Sequence, residues 1–84
     1  MKETTSAALI DLILEELGRP VSADRPEMFN ERAGIHEWRT FTAMDVHLQR
    51  RPGGRPNWDV AVDGADPSEV RTLKAKLSEY DLTD

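Results

Sequence analysis

A period of two runs through residues 38–63, WRTFTAMDVHLQRRPGGRPNWDVAVD. Apolar side chains alternate with polar ones on both sides of a turn-forming segment, Pro52-Gly53-Gly54. Such alternation is typical of a strand with one buried face, and proline beside glycine favours a tight turn. The sequence therefore predicts a β-hairpin with strands over residues 38–49 and 57–63.

The pairing of the two strands follows from the same pattern. A turn centred on Gly53 makes large apolar side chains meet on one face of the hairpin, whereas a slip of one residue would set each against a polar side chain. The predicted pairs are Leu48 with Trp58, Val46 with Val60 and Met44 with Val62. On the opposite face, this register places His47 across from Asp59.

An amphipathic helix is predicted over residues 6–17, before the hairpin. Apolar side chains share one arc of this helix at the period of 3.6 residues. They are Leu9, Ile10, Ile13, Leu14 and Leu17. Ser6 or Thr5 suits the N-cap, and Gly18 suits the left-handed position after the last turn. Leu12 lies outside the apolar arc, so either a second element covers it or it is exposed.

A second helix is predicted over residues 67–80, after the hairpin. Asp66 suits the N-cap, Pro67 suits the first helical position, and Glu69 completes a capping-box pattern. The apolar face of this helix consists of Val70, Leu73, Leu77 and Tyr80. The helix therefore has one face to bury, as the first helix does.

Residues 18–37 show the least regular pattern. Proline at the first helical position and Gly34 after the end favour a short helix over residues 26–33, from Pro26 to Ala33. The alternative is an irregular connection, but a structureless segment of this length is unusual in a small domain.

The predicted fold class is α+β. Two strands cannot stand alone in water, so the apolar face of the hairpin needs a cover. The helices at the two ends of the chain supply it, which predicts a small two-layer domain. Its order is helix, short helix or loop, strand, strand, helix, and we expect residues 1–84 to form a single domain.

Composition narrows the classes of function. The chain has 84 residues, no cysteine and a net charge of −5. This length excludes a two-domain enzyme, and no apolar run is long enough for a membrane span. A chain without cysteine has neither disulfides nor thiolate metal sites. We expect a cytoplasmic protein with no cofactor and no membrane partner.

Three arginines surround the predicted turn: Arg50, Arg51 and Arg55. Guanidinium groups bind phosphate and carboxylate in a bidentate manner, so this tip is a candidate contact for an anion, a nucleic acid or a partner protein. The alternative is a solubilising tip that prevents edge-to-edge pairing. Three cations in a chain of negative net charge predict only weak nucleic-acid binding.

His47 is the remaining candidate for chemistry, because Asp45 precedes it on the strand and Asp59 faces it across the hairpin. A histidine with a carboxylate can act as a general base or as two metal ligands. The sequence places no nucleophile and no third ligand beside them. A surface ion pair is therefore the preferred interpretation, and we predict no catalytic or metal site.

These observations lead to a hypothesis about function. We expect a small non-enzymatic protein-protein interaction or accessory module that binds a partner protein or forms a homo-oligomer. Leu12 and Phe41 are the candidate interface residues if the predicted fold leaves them uncovered. The preferred alternative is that residues 18–37 fold over one of them. The alternative function is a weak nucleic-acid or anion binder that acts through the basic tip.

Overall fold

The computed structural model describes residues 2–18, 27–32, 35–39 and 45–83. Two helices and a few short strands make up this part of the chain, so the mixed α+β class is confirmed. In chain order the elements are β1 (Lys2–Thr4), α1 (Ser6–Glu16), β2 (Glu27–Arg32), β3 (Ile35–Arg39), β4 (Asp45–Arg50), β5 (Trp58–Asp63), α2 (Pro67–Lys76), a 3₁₀ turn (Leu77–Glu79) and β6 (Tyr80–Leu82).

The strands form two separate sheets. Strands β2, β3, β4 and β5 make an antiparallel sheet in sequence order, with β5 at one edge. Strands β1 and β6 make a parallel pair in which Lys2 lies opposite Tyr80 and Thr4 opposite Leu82. This pair joins the two ends of the chain, and the sequence did not predict it.

The short helix predicted from Pro26 to Ala33 is wrong, because residues 27–32 form strand β2. An isolated helix of eight residues is marginal in water. In contrast, β2 pairs with β3 from Glu27 opposite Arg39 to Arg32 opposite Ile35, with one shift of register between Met28 and Asn30. Backbone pairing within the sheet therefore outweighs the local proline and glycine signals.

The single strand predicted over residues 38–49 is also wrong. Strand β3 ends at Arg39 and strand β4 begins at Asp45, and the two pair antiparallel with Trp38 opposite Val46. A period of two is compatible with one long strand and with two shorter strands that fold back on each other. Met44 and its predicted pairing lie outside the described residues.

The hairpin of β4 and β5 has the predicted face but a different register. The observed pairs are Val46 with Val62, Leu48 with Val60 and Arg50 with Trp58. The pairing is displaced by two residues, and the midpoint of the loop between Arg50 and Trp58 is Gly54. Because side chains alternate with a period of two, this displacement leaves the apolar side chains on their predicted face.

Helix α1 follows the prediction closely. The Thr5 hydroxyl oxygen accepts a hydrogen bond from the Ala8 amide at 3.2 Å, which caps the first turn. The last turn ends at Leu17, and Gly18 follows with a φ of 74°. Glycine adopts this left-handed conformation without the steric cost that a side chain would add.

Helix α2 begins as predicted and ends earlier. Asp66 Oδ1 accepts hydrogen bonds from the Ser68 amide at 2.8 Å and from the Ser68 hydroxyl at 2.7 Å. The helix ends at Lys76 and tightens into the 3₁₀ turn, so the prediction of a helix to Tyr80 is wrong. Tyr80 belongs to β6, because its backbone pairs with β1.

The buried core draws on both helices and on strands β4, β5 and β6. The described core residues are Leu9, Ile10, Ile13, Leu14, Val46, Leu48, Trp58, Val60, Val62, Leu73, Leu77 and Leu82. Trp58 is the largest of the fully buried side chains. The apolar arc of α1 and the inward face of β5 thus meet in one cluster.

Asn57 links the two sheets through its side-chain amide. Its Nδ2 donates to the Leu82 carbonyl at 3.0 Å, and its Oδ1 accepts from the Leu82 amide at 2.7 Å. The Asn57 backbone amide donates to Asp81 Oδ1 at 3.1 Å, and Trp58 Nε1 donates to the Tyr80 carbonyl at 2.8 Å. These four hydrogen bonds attach β6 to the start of β5.

We expect the Asn57→Ala substitution to lower the free energy of unfolding by about 2 kcal/mol, because it leaves the partly buried N–H and C=O of Leu82 without their side-chain partner. Urea denaturation measures this loss. Gln49→Ala, at an exposed position of β4, is the control and should change stability by less than about 0.5 kcal/mol. Equal losses in the two variants would contradict the role of Asn57.

Candidate functional site

The loop between β4 and β5 contains a tight turn at its start. The Arg51 carbonyl accepts from the Gly54 amide at 2.9 Å, and Gly53 has a φ of 84°. Proline followed by a glycine of positive φ is the pattern of a type II turn. The Arg51 amide also donates to the Asn57 carbonyl at 2.7 Å, which extends the ladder beyond the strands.

The three candidate arginines have different surroundings. Arg50 is half-buried at the end of β4, whereas Arg51 and Arg55 are exposed in the loop. Arg51 Nη2 lies 3.2 Å from Asp59 Oδ2, so an internal ion pair already engages this guanidinium. The charge that the loop offers to an external anion is correspondingly smaller than the sequence suggests.

Asp59 connects the loop, β5 and α2. Its Oδ1 lies 2.7 Å from Lys74 Nζ and accepts from the Val60 amide at 2.8 Å. Partial burial opposes ionisation of Asp59, but the hydrogen bonds from Lys74 and Val60 and the charges of Lys74 and Arg51 outweigh it. The pKa of the Asp59 carboxyl is therefore held below its ordinary value.

The predicted contact between His47 and Asp59 is wrong. The observed register places His47 opposite Ala61, and its Nε2 lies 3.1 Å from Asp63 Oδ2. The Asp63 side chain is 77% exposed, and exposed pairs contribute little to stability. Among the described residues, no group of three or more histidine, aspartate or glutamate side chains is arranged to hold a metal ion.

The two candidate interface residues cannot be compared directly. Leu12 is half-buried and packs against the core, so it presents only part of its side chain to solvent. Phe41 lies outside the described residues.

The outer edge of β5 is a further candidate surface. The bond from Arg51 to the Asn57 carbonyl continues a ladder in which Asp59, Ala61 and Asp63 exchange hydrogen bonds with β4. The N–H and C=O groups of the alternate residues, including Val60 and Val62, therefore point away from β4. No strand within the described ranges pairs with β5 on that side.

A groove runs beside this edge, between β5 and α2. It has a volume of about 260 Å³ and is lined by Val60, Ala61, Val62, Pro67, Val70 and Arg71. We call these six residues the edge groove. The lining is mostly apolar, and the outward-pointing backbone groups of β5 lie alongside it. Alternation marked β5 as a strand, but only the strand order of the sheet shows that β5 lies at an edge.

A larger groove of about 420 Å³ lies between the end of α1 and α2. Its lining includes Glu16 and Lys76, which form an ion pair at 3.2 Å, together with Ser68, Glu69 and Thr72. The polar groups here belong to helix surfaces and bring no strand edge into the groove. The edge groove is therefore the better candidate for recognition of another chain.

Comparison with known proteins adds no relative: no family model matches the chain, and neither the curated proteins nor the solved structures gave a match. None of the described helices is long and apolar enough to cross a membrane.

We expect Lys74→Met to raise the pKa of Asp59 toward the ordinary value, since the variant removes the closest cation. The lowered pKa in the folded protein stabilises it above the unfolded-state pKa of about 3.9, and this contribution is lost as the pH falls. Lys74→Met should therefore lose less stability on acidification.

Carboxyl ¹³C titration by NMR measures the pKa of Asp59 in each variant. Lys76→Met is the matched control, because it removes a lysine of the same helix that pairs with Glu16 instead. An Asp59 pKa that is the same in the wild type and in Lys74→Met would refute the electrostatic account.

Proposed function

We propose that this chain is a small non-enzymatic protein-protein interaction module whose contact surface is the outer edge of β5 with the edge groove. The observation that carries the proposal is the outward backbone of β5, which no other strand of the described residues pairs with, beside an apolar groove. An exposed sheet edge can bind an extended chain through main-chain hydrogen bonds, while a neighbouring pocket selects its side chains.

The local chemistry supports this use of the edge. Asp59 Oδ1 bonds the Val60 amide, so one outward donor is satisfied while the edge is empty. Charged side chains on an edge strand oppose indiscriminate pairing, and Asp59 and Asp63 occupy β5 on either side of Ala61. The two carboxylates thus disfavour non-specific strand pairing at this edge, and Ala61 provides an apolar position between them.

The size of the domain also favours association. The described core consists of twelve buried apolar residues, and small domains bury a limited share of their apolar surface. A strand added at β5 would extend both the sheet and the apolar cluster. The occupant of the edge is either a partner chain or a second copy of this protein.

The alternative function, a weak nucleic-acid or anion binder, stays a prediction. Its support decreases because Arg51 is paired with Asp59 and Arg50 is half-buried. Binding to a phosphate-rich ligand would then depend mainly on Arg55.

Site-specific photo-crosslinking tests the proposed module. A benzophenone amino acid at Ala61 should give a defined adduct in extracts of the source cells or with a second copy of the chain. The same group at Ala75, an exposed position of α2 outside the edge groove, is the control and should give none. Excess untagged wild-type protein should abolish the Ala61 adduct, whereas excess Ala61→Lys protein should not.

Light scattering on the purified protein decides between a partner and a second copy. A dimer that Ala61→Lys dissociates would identify the second copy. A monomer with no adduct at Ala61, or with equal adducts at Ala61 and Ala75, would refute the module.

A further inference from the structure

We propose that the edge groove receives an extended segment of another protein, which adds to β5 as a strand, places an apolar side chain in the groove and sets a lysine or arginine beside Asp63. This inference rests on the proposed function, because it names the chemistry of the partner at the same surface. It commits to a basic, extended partner segment rather than to a second copy.

The outward backbone groups of β5 determine where a new strand can pair. Ala61 and Asp63 use their N–H and C=O groups toward β4, so those of Val62 face outward. At the other end of β5, Asn57 and Trp58 are bonded to β6. Within the part of the chain that the structure describes, the segment open to a new strand is therefore the half of β5 from Val60 to Asp63, next to the start of α2.

The edge groove can receive an apolar side chain of the added strand. Side chains of an added strand alternate between the two faces of the sheet, so every second one points toward the helix side. There it meets Val60 and Val62 from the sheet and Pro67 and Val70 from the helix. A volume of about 260 Å³ with this lining favours a branched aliphatic side chain over a charged one.

Acidic side chains near the open end of β5 favour a basic partner segment. The Asp63 side chain is 77% exposed on the face opposite the groove. Asp66 at the start of α2 is exposed as well, and its hydrogen bonds from Ser68 hold its pKa below the ordinary value. The positive charge of Arg71, which lines the groove, also lowers the pKa of Asp66. The open end of β5 is thus flanked by two exposed carboxyl groups, those of Asp63 and Asp66.

A second copy fits this charge pattern poorly. Each copy carries a net charge of −5, and two β5 edges would bring Asp59 and Asp63 of one copy near the same residues of the other. Like charges oppose such pairing, whereas a basic segment is attracted to it. The expected partner sequence therefore alternates β-branched residues with lysine or arginine.

Selection from a display library of random dodecapeptides tests the inference. We expect the selected peptides to alternate valine or isoleucine with lysine or arginine and to contain no proline in the alternating part. A representative peptide, with its basic residue nearest Asp63 identified by alanine scanning, then serves as the probe for titration calorimetry.

Asp63→Lys should weaken binding of this peptide by at least about threefold, the scale of one exposed ion pair. Glu15→Lys is the matched control, because it makes the same charge change at an exposed position of α1, and should leave the affinity within twofold of wild type. A peptide with glutamate in place of the identified basic residue should regain affinity for Asp63→Lys.

Amide exchange locates the bound peptide. The exchange rate of the Val62 amide should fall by at least tenfold when the peptide binds, because this donor gains a partner. Selection of acidic or unpatterned peptides, no selection at all, equal affinity for wild type and Asp63→Lys, or protection confined to another surface would each overturn the inference.

The two proposals fail separately. An Ala61 adduct together with any of these contrary results removes the basic strand and leaves the interaction module standing. A dimer that Ala61→Lys dissociates would also remove the basic strand and keep the interaction module, since it identifies a second copy as the occupant. Absence of a specific Ala61 adduct removes the module itself.

Discussion

The hydrogen-bonded junction between Asn57 and Leu82 is the constraint on which the remaining architecture depends. The Asn57 amide group donates to and accepts from the backbone of one residue of β6, as a neighbouring strand would. Beside it, the buried Trp58 ring directs its N–H to the Tyr80 carbonyl. Hydrogen bonding of the backbone and burial of an apolar side chain therefore occur together at the start of β5. Both hold β6 against the sheet.

This junction also determines which part of β5 stays open. Strand β6 occupies the Trp58 end, whereas α2 follows the Asp63 end in sequence and packs beside the Val60–Val62 segment. Lys74 on α2 then reaches Asp59 at 2.7 Å, and Asp59 in turn bonds the Val60 amide. The ion pair thus links the position of the helix to the protection of the strand edge. The candidate interaction surface is a consequence of how the chain closes its core.

The helices and the apolar face of the hairpin could be predicted because they are local. Thr5, Asp66 and Pro67 determine helix starts within a few residues, and alternation defines the buried face of β5 irrespective of register. The register itself was displaced by two residues, since Gly53 and Gly54 are both plausible turn centres. Strand β2, the break between β3 and β4, and the β1–β6 pair depend on partners distant in sequence, which local patterns do not encode.

In the candidate site, too, local features could be predicted and contacts between distant residues could not. The arginines of the loop were evident from the sequence, but their pairing was not, because Arg51 and Asp59 meet only in the observed register. The edge groove brings together β5 and α2, and the sequence pattern indicates its members Val60, Val62 and Val70 only as core-facing residues. A residue such as Val62 serves two roles: its side chain fills the core, and its backbone faces outward.

Hydrogen exchange of the free protein tests the central claim, that the outer edge of β5 is open, most directly. We expect slow exchange at the Ala61 and Asp63 amides, which bond to β4, and fast exchange at the Val62 amide between them. Exchange at Val62 as slow as at Ala61 would show that the edge is already paired and would contradict the account.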